Sequence, residues 1–320
     1  MNKIELNAYA KINLSIDVVE KRPDGYHDVA MVLQQIELCD AVTVKCLDDG
    51  YESIGVTANM KAIPQGMDNI AGKAAQLIKD IFPHKYKGSI YINIEKRIPL
   101  SAGLAGGSAD AAAVLHALNI ILKLDLTVSE LMQIGVKLGA DIPFCIMAQA
   151  AVNSDLNLSK EDVSTCALAE GIGDKLTPLP PLEAFVILTK PDISVSTAEI
   201  YANLKVDKIK KRPDTKNLIR GLKEKDISVI KKSMYNVLEC VSIRRYPVIE
   251  VQKQKLEKNA PEGNAIMSGS GPTVFILACE ETQAKSIFQN IKNGNSWYCI
   301  TETSRLSFPC HNRTSHRIEY

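Results

Sequence analysis

Between Pro99 and Ala112 the chain reads Pro-Leu-Ser-Ala-Gly-Leu-Ala-Gly-Gly-Ser-Ala-Asp-Ala-Ala, and this stretch limits the possible folds more than any other. It follows a strand-like segment, GSIYINIEKRIPL, and opens an alanine-rich helix with Ala113, Leu115, Leu118 and Leu122 at helical spacing. Glycines let a backbone turn its N–H groups inward without side-chain obstruction. The helix start behind them adds about half a positive charge in line with those groups. Together these are the requirements of a phosphate cradle. The candidate triphosphate residues are Pro99, Ala102, Gly103, Leu104, Ala105, Gly106, Gly107, Ser108 and Ala109. The alternative is a tight strand-to-helix connection that holds no ligand. Spacing excludes two commoner loops: Gly103-x-x-Gly106-Gly107 is not the GxGxxG of a dinucleotide site. Gly66-MDNIA-Gly72-Lys73-Ala74 has one residue too many for a Walker loop, and alanine where a hydroxyl is needed.

Apolar residues alternate from Ile4 to Val18, which predicts a half-buried strand. Pro23, Asp24 and Gly25 mark a turn, and extended segments continue through 29–46 and 51–58 as an antiparallel meander. Residues 69–81 read as a helix, and TVSELMQIGVKLG as another, with Thr127 and Glu130 forming a capping box. The second half gives a strand (EAFVILTK), a helix (STAEIYANL), helices through 215–258, a strand over 265–280, a helix (ETQAKSIFQNIKN) and a strand (SWYCITET). Strands and helices mix without regular βαβ alternation, so the class is α+β rather than a doubly wound sheet. The polar, aperiodic stretch at 149–165 places a domain boundary there, giving domains at 1–163 and 164–303 and an irregular tail at 304–320.

Charge excludes a polyelectrolyte partner: 38 Lys and Arg nearly cancel 37 Asp and Glu, so no nucleic acid is expected. The N-terminus has no unbroken apolar stretch and carries Glu5 and Asp17, unlike a signal peptide. No run of about 18 apolar residues is present, so no membrane span is expected. Eight cysteines stand singly, without CxxC pairs, and read as thiols of a reducing cytoplasm.

Three further segments carry candidate chemistry. Lys11 and Asn13 share one face of the first strand, with Ala10, Ile12 and Leu14 on the other. In Gly-Ala-Asp141-Ile-Pro-Phe an acidic residue stands among apolar neighbours, as a base, a turn residue or a cap. Met-Ser-Gly269-Ser270-Gly271-Pro-Thr273 is a second glycine turn, entering an apolar strand.

Taken together, the lysine strand, the Pro-x-x-x-Gly-Leu-x-Gly-Gly-Ser loop, the Asp141 segment and the Gly-Ser-Gly-Pro turn resemble the GHMP kinases from about residue 5 to 302. Lys21-Arg-Pro-Asp-Gly-Tyr26-His27, GADIPFCI and VSTAEIY are similar to the branch whose acceptor is a cytidine diphosphate-linked methylerythritol. The resemblance implies a ribosomal protein S5-like N-terminal domain, a ferredoxin-like C-terminal domain, and ATP with Mg²⁺. It implies phosphorylation of the acceptor's 2-hydroxyl by ATP, giving ADP, in non-mevalonate isoprenoid biosynthesis. By the same resemblance Asp141 is the catalytic base and Lys11 its partner. Ser108 is a candidate Mg²⁺ ligand or a helix cap, and Asn69 lies toward the adenine. Tyr26 and Tyr201 would sandwich the cytosine, His27 would read its edge, and Asn13 and Thr197 would touch the acceptor. A cytoplasmic monomer or homodimer is expected. A homoserine, mevalonate or sugar kinase of the same superfamily, or a non-catalytic nucleotide-binding relative, remain as alternatives. The segment AQAAVNSDLNLSKEDVSTCA departs from the pattern, and it is expected to form a surface loop close behind Asp141.

Overall fold

The alternation seen from Ile4 to Val18 forms a strand that is longer and more deeply set than the pattern implies: both of its faces are buried from Ala10 to Ile16. The computed structural model describes residues 2–157, 159–260 and 263–306. Most of the tail expected to be irregular, 307–320, therefore lies outside the described residues.

In chain order the first elements are β1 (Lys3–Lys21), β2 (His27–Leu47), β3 (Ile54–Ala58), α1 (Ile70–Ile81) and β4 (Ser89–Glu95). Then come α2 (Gly106–Ile121), α3 (Val128–Gly135), α4 (Ile142–Val152), β5 (Cys166–Gly171), β6 (Lys175–Leu179) and β7 (Phe185–Lys190). They are followed by α5 (Thr197–Ala202), α6 (Thr215–Glu224), α7 (Ile227–Ser233), β8 (Tyr235–Asn236), α8 (Glu239–Arg245) and α9 (Val248–Asn259). The last are β9 (Ile266–Met267), β10 (Val274–Ala278), α10 (Glu281–Ile291) and β11 (Trp297–Glu302).

The chain divides into two units that interleave in sequence. One comprises 1–10, 39–99 and 105–163; the other comprises 11–38, 100–104 and 164–320. In the first unit the end of β2 pairs antiparallel with β4, from Ala41 opposite Glu95 to Leu47 opposite Ser89. β3 runs parallel to β4, so the expected meander fails at this strand. The small residues of α2 allow close approach on several sides, and the helix packs against α1, α3 and α4. Every residue from Ala109 to Asn119 is buried. His116 is one of them: its Nε2 donates to the Ile146 carbonyl of α4 at 3.0 Å, and burial pushes its pKa down to about 4, leaving a neutral ring. The Thr127–Glu130 capping box forms in both directions at the start of α3.

α4 was not legible as a helix. It is apolar all round and buried from Ile142 to Ala151, so it shows no amphipathic period. The expected surface loop begins inside it, because α4 runs on to Val152. Beyond it, Asn153 caps a short turn over Ser154–Leu156, and the Glu161 carboxylate accepts the Ser129 N–H at 2.9 Å, at the start of α3.

In the second unit the first part of β2 pairs antiparallel with β5, and β5 with β6; neither β5 nor β6 was read from the sequence. β1 pairs in parallel with the two-residue β8. A separate antiparallel sheet has the order β11-β7-β10-β9, with α9 and α10 packed on it. Numbered within this sheet the order is 4-1-3-2 with helices after the first and third strands, the ferredoxin-like arrangement. The apolar stretch 265–280 is two strands rather than one: Gly269 and Gly271, both at positive φ, turn the chain between β9 and β10.

Candidate active site

The glycine loop is shared between the units, residues 100–104 belonging to the second and its flanks to the first, and the other sequence-derived residues fall into one unit or the other. The glycine loop itself enters the left-handed region at Ser101 (φ 49°), Gly103 (φ 74°) and Ala105 (φ 57°). Two of the three are not glycine, and such residues persist in this conformation where the surrounding structure over-determines it. Alternation of φ sign along a backbone turns successive N–H groups toward one side, the geometry of an anion nest. Ala105 is the N-cap of α2 and supplies no side-chain cap. Ser108, half-buried, is the third residue of the helix and so does not cap it.

In the second unit, Lys11 is 3% exposed, and its ammonium donates to Asn13 Oδ1 at 2.7 Å and to the Gly103 carbonyl at 3.2 Å. The backbone N–H of Lys11 also bonds the Leu104 carbonyl at 3.1 Å. Asn13 Oδ1 accepts a second hydrogen bond, from Gly269 N–H at 2.9 Å, and Asn13 Nδ2 faces Met31 Sδ at 3.7 Å. The Asn13 carboxamide is thus engaged inside the protein, where the sequence suggested an acceptor contact. Ser268, which sequence reasoning missed, is fully buried and donates to the Gly103 carbonyl at 2.9 Å. The lysine strand, Gly103 and Leu104 of the glycine loop, and the C-terminal glycine turn meet through these bonds.

Thr197 is the first residue of α5 and Ser196 is its N-cap, which corrects the alternative of Thr197 as cap. The Thr197 hydroxyl instead bonds the Ser270 hydroxyl at 2.8 Å. His27 and Tyr201 stand with ring centroids 5.3 Å apart, tilted by 48°. His27 Nε2 is buried with no hydrogen-bond partner, and burial, helped by Lys21, holds this ring's pKa below the ordinary histidine range. Tyr26, by contrast, is 62% exposed.

In the first unit, Asp141 occupies the N-cap position of α4, but its side chain makes no capping hydrogen bond. Asn69 caps α1: its Oδ1 accepts from Ala71 N–H at 2.9 Å, and its Nδ2 donates to the Pro64 carbonyl at 2.9 Å. A charged cluster that the sequence reading did not find lies beneath the glycine loop. Lys96 Nζ bonds Asp40 Oδ2 and, at 2.8 Å, Asp110 Oδ2. Burial opposes the Lys96 charge, but Asp110 and Asp40 outweigh it and hold its pKa above the ordinary lysine value. Burial drives Asp110 the other way, upward, against the pull of Lys96. The signal for this cluster was Asp40 and Asp110 interrupting apolar runs, but their partner lies 56 and 14 residues away, respectively.

No helix among the described residues is long and apolar enough to cross a membrane. Among the described residues no group of three or more His, Cys, Asp or Glu could hold a metal ion.

The family model for the GHMP kinases N terminal domain matches residues 69–149, and the model for the GHMP kinases C terminal matches 218–296. The chain is 43% identical over 305 residues to the 4-diphosphocytidyl-2-C-methyl-D-erythritol kinase of Acetivibrio thermocellus, covering 95% of this chain and 100% of that one. To the enzyme of the same name from Clostridioides difficile it is 46% identical over 279 residues, 87% of each chain. A crystal structure of 4-(cytidine 5'-diphospho)-2C-methyl-D-erythritol kinase matches with a TM-score of 0.73 at 26% identity, covering 94% of this chain and 100% of that one. Homoserine kinase from Cytophaga hutchinsonii shares the fold, with a TM-score of 0.69 at 19% identity and 95% of each chain covered.

Proposed function

The chain belongs to the GHMP kinases, in the family of the 4-diphosphocytidyl-2-C-methyl-D-erythritol kinases, and from that premise we propose that it carries the γ-phosphoryl group of ATP to the 2-hydroxyl of 4-diphosphocytidyl-2-C-methyl-D-erythritol. The products are ADP and the 2-phosphate, a step of non-mevalonate isoprenoid biosynthesis in the cytoplasm.

A hydroxyl is a poor nucleophile at neutral pH, and Asp141 is the base that takes its proton as the phosphorus is attacked. Lys11, with its ammonium fixed by Asn13 and Gly103, supplies positive charge for the transferring group. The backbone N–H groups around Gly103, Gly106, Gly107 and Ala109 receive the triphosphate. Most of the acceleration comes from such positioning and electrostatics. Mg²⁺ would be held mainly by phosphate oxygens and water, as this ion usually is in phosphoryl-transfer sites. The Ser108 hydroxyl is its candidate protein ligand. When bound, the ion neutralises phosphate charge.

The observation that carries the choice of acceptor is the His27–Tyr201 pair. A neutral imidazole with a buried, unpartnered Nε2 suits the polar edge of a cytosine. The exposed Tyr26 ring beside it in sequence offers a stacking face. Base–aromatic stacking contributes about 1–3 kcal/mol per base, or roughly 5- to 150-fold in affinity. Tyr26→Ala is therefore expected to raise the acceptor KM within that range and leave the ATP KM unchanged. CDP is expected to compete with the acceptor and not with ATP. Inhibition kinetics with CDP against each substrate test this reading. Competition against ATP alone, or no inhibition at millimolar CDP, contradicts it.

A further inference from the structure

Asp40, Lys96 and Asp110 are three charged side chains exposed by 0%, 3% and 5%, and no step of the proposed chemistry uses them. Each grips a different segment. Asp40 lies on β2, and its Oδ1 accepts the N–H groups of Arg97 at 2.6 Å and Ile98 at 2.8 Å. The backbone of Lys96 is held on both sides by Asn59, through Lys96 N–H to Asn59 Oδ1 and Asn59 Nδ2 to the Lys96 carbonyl, at 2.9 and 3.2 Å. Asp110 belongs to the second turn of α2. The cluster therefore joins the strand exit at 96–98, where the glycine loop begins, to the helix on which it ends.

Contact with the loop is direct. A Cβ added at Gly106, the first residue of α2, would stand 3.2 Å from Lys96 Nζ and 2.9 Å from Ile98 Cγ2. The ammonium thus lies under the first turn of the helix. A cation there has the wrong sign for the helix dipole and the right sign for an anion bound at the same end. Stability alone explains the cluster poorly. One ammonium faces two carboxylates, Asp110 Oδ1 is buried without a hydrogen-bond partner, and well-packed apolar residues often replace buried ion pairs at no cost.

We propose that Asp40, Lys96 and Asp110 are positioning residues for the nucleotide: they set the first turn of α2 against the strand exit, and so the spacing of the loop N–H groups that receive phosphate. This rests on the reading of the loop as the triphosphate site. The double variant Lys96→Met/Asp110→Leu removes one charge of each sign and leaves Asp40 with its two backbone donors. Asp40 loses its ammonium and stays buried, so this variant is expected to melt below wild type, and its ATP affinity is read at a temperature where it is folded. Its Kd for ATP, measured calorimetrically without acceptor, is expected to rise at least tenfold. The ATP KM follows and the acceptor KM stays within about twofold. Asp110→Asn keeps an acceptor for Lys96 but loses its charge, and is expected to weaken ATP about fivefold.

An ATP Kd within twofold of wild type in folded variants overturns the proposal, as does a parallel rise in both KM values. Should the double variant fail to fold, Asp110→Asn decides alone. If the wild-type protein itself binds no ATP, the loop assignment is what fails, and this proposal falls with it.

Discussion

Asp141→Asn is expected to lower kcat by about 10²–10⁴-fold, the range that general-base catalysis contributes. The substitution isolates chemistry from folding because asparagine has nearly the same shape and is as good at a helix N-cap position as aspartate. The amide cannot accept the hydroxyl proton, while the glycine loop is untouched. ATP affinity is therefore expected to stay within about twofold by calorimetry, and the urea midpoint to be unchanged. A loss in kcat without a change in ATP affinity marks an interaction made in the transition state. A kcat within tenfold of wild type removes Asp141 from the catalytic role.

Gly103→Ala is expected to be the most damaging single change in the glycine loop. At φ 74° an alanine costs about 1–2 kcal/mol. Its Cβ would also stand 2.2 Å from the Ser268 carbonyl oxygen and 3.1 Å from that of Gly271. Both are backbone atoms, so no rotamer relieves the overlap, and forced overpacking adds about 1–3 kcal/mol. The sum, about 2–5 kcal/mol, is measurable by urea denaturation. Moving Gly103 also moves the carbonyl that holds Lys11 and Ser268, so turnover is expected to fall with stability. Gly107→Ala is the control. Its Cβ meets only Ile70 Cγ2, at 3.4 Å, and its φ is not positive, so stability is expected within about 1 kcal/mol of wild type. Equal losses in the two variants contradict the interlocked-turn account.

The sequence carried the parts of this protein that depend on local rules. The glycine loop was legible because glycine spacing is a backbone requirement, and the α3 start because Thr127 and Glu130 satisfy each other across one turn. Lys11 and Asn13 were placed on one face by the period of a strand, and they hydrogen-bond there. Elements without a local signature were lost. α4 has no polar face, β5 and β6 are short, and the apolar run at 265–280 hides a glycine turn. The cluster beneath the loop was out of reach for another reason. Asp40, Lys96 and Asp110 acquire meaning only when β2, the exit of β4 and α2 are brought together, and no spacing in the chain announces that. Ser268 was overlooked beside the glycines that gave its segment away, although its hydroxyl holds the glycine loop.

The most direct measurement of the central claim is coupled ADP release with the purified chain, ATP and Mg²⁺, offering 4-diphosphocytidyl-2-C-methyl-D-erythritol, homoserine and mevalonate in turn. A site built to hydrogen-bond and stack a cytosine rejects acceptors that lack one, so kcat/KM for the cytidylyl acceptor is expected to exceed the others by at least about 10³-fold. Homoserine or mevalonate turned over as well as the cytidylyl acceptor, or no ADP released with the cytidylyl acceptor, would contradict the account.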